Sequence, residues 1–188
     1  GQGLQAGAAM QGAAILAASA ALHHGAGRVF LHLLDHGQLQ QLPQTPEIML
    51  RNQVTALAQL PSSTVVCGCG GGSSVAALLP KVLEHSARLL LDADALNAIA
   101  ADAMLRQRLK NRGAAGLPTV LTPHPLEAAR LLNSSVSTVQ ADRLAAAHTL
   151  ANTLDCTVLL KGSGSIIASP GEVPHINPTG NALLATGG

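Results

Sequence analysis

"STVVCGCGGGSSVAALLPKVLEH", residues 63–85, decides the fold. Residues 63–69 form a short β-branched run with no polar alternation. Residues 75–85 follow a helical pattern, and only Gly70-Gly71-Gly72-Ser73-Ser74 separates the two. A short continuous apolar run reads as a strand buried on both faces, as in a parallel sheet covered by helices. The glycine-serine turn then feeds the covering helix directly.

The same alternation recurs outward from this stretch. Upstream, residues 1–10 read as a loop, and a helix is expected from Gln11 to His24, stopped by Gly25 and Gly27. Residues 28–34 are strand-like, 36–46 loop, 47–50 a short strand and 52–60 a weak helix. Downstream, a strand is expected over 88–94, a helix from about Ala95, and a basic amphipathic helix over 103–113 ended by Gly113. Residues 118–122 read as a strand and Pro125 to Leu132 as a helix. One long helix is expected over 137–154, with Ser137 as N-cap and Gln140 at the capping-box position. Strands are expected over 157–162, 165–169 and 172–176, the last two a hairpin around Pro170-Gly171. Strands alternating with helices give an α/β domain with a mainly parallel sheet.

Composition narrows the class. The 188 residues suffice for one domain with a sizeable core. With 47% hydrophobic and 11% charged residues, the chain is not of the disordered class. Phe30 is the only aromatic residue, so the core must interlock aliphatic side chains. A net charge of +1, no Lys/Arg run and no aromatic platform argue against a nucleic-acid partner. Cys67, Cys69 and Cys156 make an odd set with no second pair to complete a metal site. They read as small thiols in a reducing cytoplasm. No run approaches the ~18 apolar residues of a membrane span. Residues 13–22, "AAILAASAAL", lack a basic flank and read as a buried helix, not a signal peptide.

In open α/β sheets, ligands bind beyond the carboxyl ends of the strands. The unusual residues here all follow strands. Residues 67–74, "CGCGGGSS", let backbone approach a ligand at a helix start, which suits phosphate, although a tight turn also uses glycine. In "LLLDADALN" (89–97), Asp94 is placed to cap the next helix. Asp92, at the strand end, suits a metal or phosphate-bound water. Lys161 stands at another strand end before Gly162 and Gly164, as a phosphate-neutralising cation or a solvated one. His124, between Pro123 and Pro125, is either a rigid loop corner or a polar group at a pocket mouth, with Glu127 close behind. Residues 177–188, "NPTGNALLATGG", place Asn177, Thr179 and Asn181 around Gly180 and end in Gly187-Gly188, a pattern suited to an anion hole. The other histidines (His23, His24, His32, His36, His85, His148 and His175) read as surface or internally satisfied groups.

These motifs occur in an order that is specific as a set: 12–29, 65–72, 89–97, 120–132, 158–168 and 177–188. Together they resemble the ADP/ATP-dependent NAD(P)H-hydrate dehydratase family, a branch of the ribokinase-like superfamily. The resemblance implies one ribokinase-like three-layer α/β/α sandwich over residues 1–188, incomplete at both ends. It implies nucleotide-dependent dehydration of the S-epimer of hydrated NADH or NADPH. The C6 hydroxyl is phosphorylated and phosphate eliminated, with ADP or ATP as co-substrate and Mg2+ as cofactor. Ala13, Gly70 and His124 match hydrate-contacting positions, and Lys161, Gly162, Ser163, Gly164 and Ser165 the nucleotide-binding segment. Cys69 and Gly71 stand where the family turn has proline and leucine, and Leu126 where its histidine motif has glycine. Asp92, Asp94, Asn97, Glu127, Asn177, Thr179, Gly180, Asn181, Gly187 and Gly188 are the supporting candidates.

The family's base for the hydroxyl is an aspartate expected beyond Gly188, so the literal 188-residue polypeptide is expected to be inactive. A homo-oligomer, and an NAD(P)H-hydrate epimerase fused or working alongside, are the expected partners. The rival readings are a sugar- or vitamin-alcohol kinase of the same superfamily and a non-catalytic nucleotide-binding domain.

Overall fold

The computed structural model describes residues 11–34 and 42–180. The readings for residues 1–10 and 36–41, and for Asn181, Gly187 and Gly188, lie outside the described residues. Helix α1 (Gln11–His23) leads to β1 (Val29–Leu31), which pairs in parallel with β2 (Ile48–Leu50). After α2 (Gln53–Ala58) and a short 3-10 turn comes β3 (Thr64–Cys67), then α3 (Val75–His85), β4 (Arg88–Leu91), α4 (Ala93–Ala101) and α5 (Ala103–Ala114). The chain continues through β5 (Thr119–Leu121), α6 (Pro125–Leu132), α7 (Val136–Ala141), α8 (Arg143–Leu154), β6 (Thr157–Leu160), β7 (Ser165–Ala168) and β8 (His175–Asn177).

Six strands form one sheet in the order β3-β4-β5-β6-β7-β8. The first four are parallel, and β7 and β8 run antiparallel to their neighbours. The register aligns the carboxyl ends. Cys67 partners Leu91, and Leu91 partners Leu121. The residues that follow, Gly68, Asp92 and Thr122, therefore leave the sheet along one rim. The core is aliphatic, as the lack of aromatics demands: Leu79, Leu83, Leu91, Leu96, Ile99, Leu109, Leu121, Leu150, Leu154 and Leu160 are fully buried.

Five expectations need correction. Strand β3 is not buried on both faces: Thr64 is exposed and Val66 is 48% exposed. Among the described residues it pairs only with β4, and a cavity of about 990 Å³ separates it from α1 and β1. The long helix over 137–154 is two helices. Asp142 (φ −145°) leaves helical geometry, and its side chain accepts from the Ala145 N–H to start α8. Ser135, not Ser137, caps α7, accepting from Thr138 N–H at 3.1 Å. Gly113 lies within α5, where a Cβ would overlap the Asp155 carbonyl oxygen; its role is close packing, not termination. The hairpin around Pro170-Gly171 forms, but β8 begins only at His175, after Pro174, which lacks an N–H to donate to a ladder.

Helix α5 also hides a charge. Arg112 is 2% exposed. It donates to the carbonyls of Leu83 (2.8 Å) and Ser86 (2.9 Å) and to the Thr119 hydroxyl (3.1 Å), tying α3 and α5 to the start of β5.

Candidate functional site

Asp92 is the hub of the rim. It is the residue from which α4 starts, yet its side chain caps nothing. Its Oδ1 instead accepts from Lys161 Nζ and from the Thr122 hydroxyl, each at 2.8 Å, and its Oδ2 faces Cys69 Sγ at 3.7 Å. One carboxylate thus joins the ends of β3, β4, β5 and β6. Burial alone would push the Asp92 carboxyl up. The hydrogen bonds from Lys161 and Thr122 and the Lys161 charge outweigh it and hold the group below the usual carboxylate value. The same crowding raises the thiols: burial, then the neighbouring Cys69, lifts Cys67 to about 12, and burial, then the Asp92 charge, lifts Cys69 to about 11. Protonated thiols of this kind are poor nucleophiles and metal ligands.

Asp94 does not cap α4 as expected. It lies in the first turn of α4 and its Oδ2 accepts from Gly72 N–H at 2.8 Å, pinning the glycine turn to the rim. Gly68 (φ +108°) packs against the start of α4, and Gly70 (φ +66°) follows in the same turn. The Lys161 N–H donates to the Pro123 carbonyl at 2.8 Å, so the Thr122-Pro123-His124 corner and the Lys161 loop are joined by backbone as well.

His124 turns out to be a helix cap. Its Nδ1 accepts from the N–H groups of Leu126 (3.1 Å) and Glu127 (3.3 Å), and Glu127 Oε2 accepts from His124 N–H at 2.8 Å. Accepting at Nδ1 places the ring proton on Nε2, which lies 3.2 Å from Glu127 Oε1. Glu127 is 3% exposed, whereas the His124 side chain is 46% exposed and reachable from solvent.

The remaining candidates divide. Asn177 is the Cα partner of Ser165, which puts residues 177–180 beside the Lys161–Ser165 loop. The Thr179 N–H and hydroxyl both donate to Asn177 Oδ1, and Gly180 has φ +98°. Ser165 closes its own loop by donating to the Gly162 carbonyl at 3.2 Å. Asn97 accepts from Arg130 at 2.6 Å and braces α4 against α6. Ala13 sits in the first turn of α1, half-buried, and makes no hydrogen bond to the rim cluster. The cavity beside β3 touches the rim through Cys67, Gly68, Cys69 and Gly71. Asp92, His124 and Lys161 do not line it, so the polar chemistry belongs to the open rim.

Two residues of this region escaped the sequence reading. Thr122 was visible only as a member of the Thr-Pro-His-Pro run. Arg143 lay inside the single helix expected over 137–154; only the break at Asp142 makes it the first residue of α8, where a cation opposes the helix dipole. Its guanidinium instead reaches the carbonyls of Ser163 (2.7 Å), Leu160 (3.3 Å) and Lys161 (3.3 Å).

Comparison with known proteins gives the fold and the family. The fold is ribokinase-like: a ribokinase-like superfamily protein from Enterococcus faecalis superposes with a TM-score of 0.72 at 23% identity, over 94% of this chain and 61% of that one. Within that class, the family model described as NAD(P)H-hydrate dehydratase matches residues 3–188, and the chain belongs to that family. It is 41% identical to the ADP-dependent (S)-NAD(P)H-hydrate dehydratase of Neisseria meningitidis over 96% of its own length. It also superposes on an ADP/ATP-dependent NAD(P)H-hydrate dehydratase from Bacillus subtilis co-crystallised with ATP and Mg2+, with a TM-score of 0.67 at 25% identity, over 95% of this chain and 63% of that one. The chain spans 62% of the length of the Neisseria relative.

Proposed function

We propose that this chain binds the nucleotide and the hydrated cofactor in ADP- or ATP-dependent dehydration of the S-epimer of hydrated NADH or NADPH, restoring NAD(P)H with release of phosphate. The observation that carries this is the Lys161–Asp92–Thr122 junction, which gathers the glycine turn, the His124 corner and the Lys161–Ser165 loop on one rim. Asp92 uses one of the three ammonium donors of Lys161, and the others can reach a phosphate. Gly162 and Gly164 at positive φ leave the loop without side chains there, so its backbone can approach the nucleotide. His124 would orient the hydrated ring through Nε2, which then trades Glu127 for the substrate.

Magnesium fits the donor set. It binds through one or two carboxylates together with phosphate oxygens and retained waters. Asp92 Oδ2 and Asp94 Oδ1 are the lightly used oxygens here, and these two residues would hold it. When bound it would neutralise phosphate charge. No carboxylate of this rim would then be free: Asp92 would be shared between Lys161 and the metal, Asp94 between Gly72 N–H and the metal, and Glu127 is held by the His124 cap. None is therefore assigned as base for the C6 hydroxyl. The same reading carries with it a homo-oligomer, an NAD(P)H-hydrate epimerase as fused or separate partner, and a cytoplasmic setting. Among the described residues no helix is long and apolar enough to cross a membrane.

The test is spectroscopic. The full-length protein given hydrated NADH, Mg2+ and ADP or ATP is expected to regain the reduced-nicotinamide absorbance with matching phosphate release. Phosphorylation of an alcohol without that regain would favour the kinase reading. Nucleotide binding with neither would leave a binding domain.

His124 gives a finer prediction. His124→Asn keeps a good cap but loses Nε2, whereas His124→Ala loses both and is expected to destabilise by about 1 kcal/mol. Both variants are expected to weaken binding of the hydrated cofactor by roughly tenfold, one lost hydrogen bond's worth, with a smaller change in turnover. A large fall in turnover at unchanged affinity in the Asn variant would make His124 a participant in proton transfer instead.

A further inference from the structure

We infer that Arg143 is a positioning residue for the Lys161–Ser165 loop, holding it in the shape that receives a nucleotide phosphate. The inference rests on the nucleotide reading above for its ligand, but not for its geometry.

Arg143 stands outside the loop, at the first position of α8, whose start is fixed by the Asp142 cap. Its Nη1 donates to the Ser163 carbonyl, and its Nη2 to the carbonyls of both Leu160 and Lys161. The planar fork thus gathers three acceptors from four consecutive residues, as a rigid, always-charged guanidinium does and a lysine ammonium does not. Gly162 completes the fit. Its φ is +147°, and a Cβ there would stand 2.7 Å from Arg143 Nη2.

The electrostatic consequence follows from which groups are gathered. A loop that receives an anion should present donors and withdraw acceptors. Arg143 draws three carbonyl oxygens onto itself, so they are not available to repel a phosphate. Its charge also adds to that of Lys161. The neighbouring Lys161 side chain is held separately, by Asp92. Arg143 therefore shapes the loop backbone while Asp92 aims its cation.

The experiment measures amide hydrogen exchange across residues 161–165, with ADP and hydrated NADH affinities by calorimetry, in the wild-type protein, R143K and R143A. R143A is expected to speed exchange in the loop by roughly tenfold or more, as a local opening, with the amides of β4 and β5 unchanged. It is expected to weaken ADP by about tenfold, the scale of a lost charge-assisted contact, and hydrated NADH by less than twofold. R143K, which keeps the charge without the fork, is expected to fall between, and it carries the test if R143A does not fold. Unchanged loop exchange, or equal weakening of both ligands, would overturn the inference. A wild-type protein that binds no ADP would fail the nucleotide reading and remove the ligand from the proposal. The exchange data would then still decide whether Arg143 holds the loop.

Discussion

Gly68→Ala is expected to lower stability by about 3–5 kcal/mol, near the top of the range for single substitutions. Gly68 has φ +108°, a conformation that side chains rarely adopt. The larger effect is steric. A Cβ at this position would overlap the Asp92 carbonyl oxygen and come within 2.7 Å of Ala95 Cβ and 2.8 Å of Ala95 N. Two of these obstacles are backbone at the start of α4, so no rotamer change relieves them. The two segments are also bonded here: Asp92 N–H donates to the Cys67 carbonyl at 3.0 Å and Asp94 N–H to the Gly68 carbonyl at 3.3 Å. Moving α4 away would loosen the Asp92 hub with it. Gly116→Ala is the control, because Gly116 also has positive φ (+68°) but nothing within 4 Å of an added Cβ. That variant should show the conformational part alone, about 1 kcal/mol. Thermal unfolding separates the two cases. A domain of this size loses roughly 2–4 °C per kcal/mol, so G68A should melt roughly 6–20 °C below wild type. Equal melting points for G68A and G116A would show that the rim yields freely and does not hold Asp92 in place.

This tight crossing was only half legible in the sequence. The runs over 63–69, 88–94, 118–122 and 157–162 announced parallel strands, and their register gave the common rim. The pairing of Lys161 with Asp92, 69 residues apart, could be placed on that rim by topology but not joined by it. Local rules misjudged Asp94, because helix capping competes with a tertiary partner, Gly72 N–H, that no local pattern records. Within the basic amphipathic helix expected over 103–113, nothing singles out Arg112, since charge alone does not reveal three acceptors converging from α3 and β5. Strand β3 was read as fully buried from its β-branching. Its exposure is decided by what stands beside it in space, which the run itself does not encode. His124 was visible as a constrained residue, but its capping box uses an imidazole where serine or threonine is usual, so the motif did not announce itself.

Breaking the Asp92–Lys161 pair should give the clearest acid-dependent signature in the molecule. Asp92→Asn keeps the side-chain shape and an acceptor for Thr122 but removes the charge that Lys161 faces at 2.8 Å. The Lys161 side chain is 39% exposed and the Asp92 side chain 22% exposed, so solvent screens the pair. Its loss is then expected to cost about 1–2 kcal/mol, below the range for fully buried pairs. The pH dependence has a definite sign. The folded-state value of Asp92 lies below its unfolded one, which is near 4 for a free aspartate. The folded protein therefore favours the ionised form, and this stabilisation is fully present above about pH 5. It is lost as pH falls through the folded value, where both folded and unfolded chains bind the proton. The stability difference between wild type and D92N should be flat from neutrality to about pH 5 and shrink on further acidification. A double-mutant cycle with Lys161→Met isolates the pair: D92N and K161M together should cost less than the sum of the two alone. Additive effects, or a difference that grows as the solution is acidified, would mean that Lys161 does not stabilise the Asp92 carboxylate. The rim would then be held by Thr122 and the backbone bonds, leaving the Lys161 ammonium without its tether.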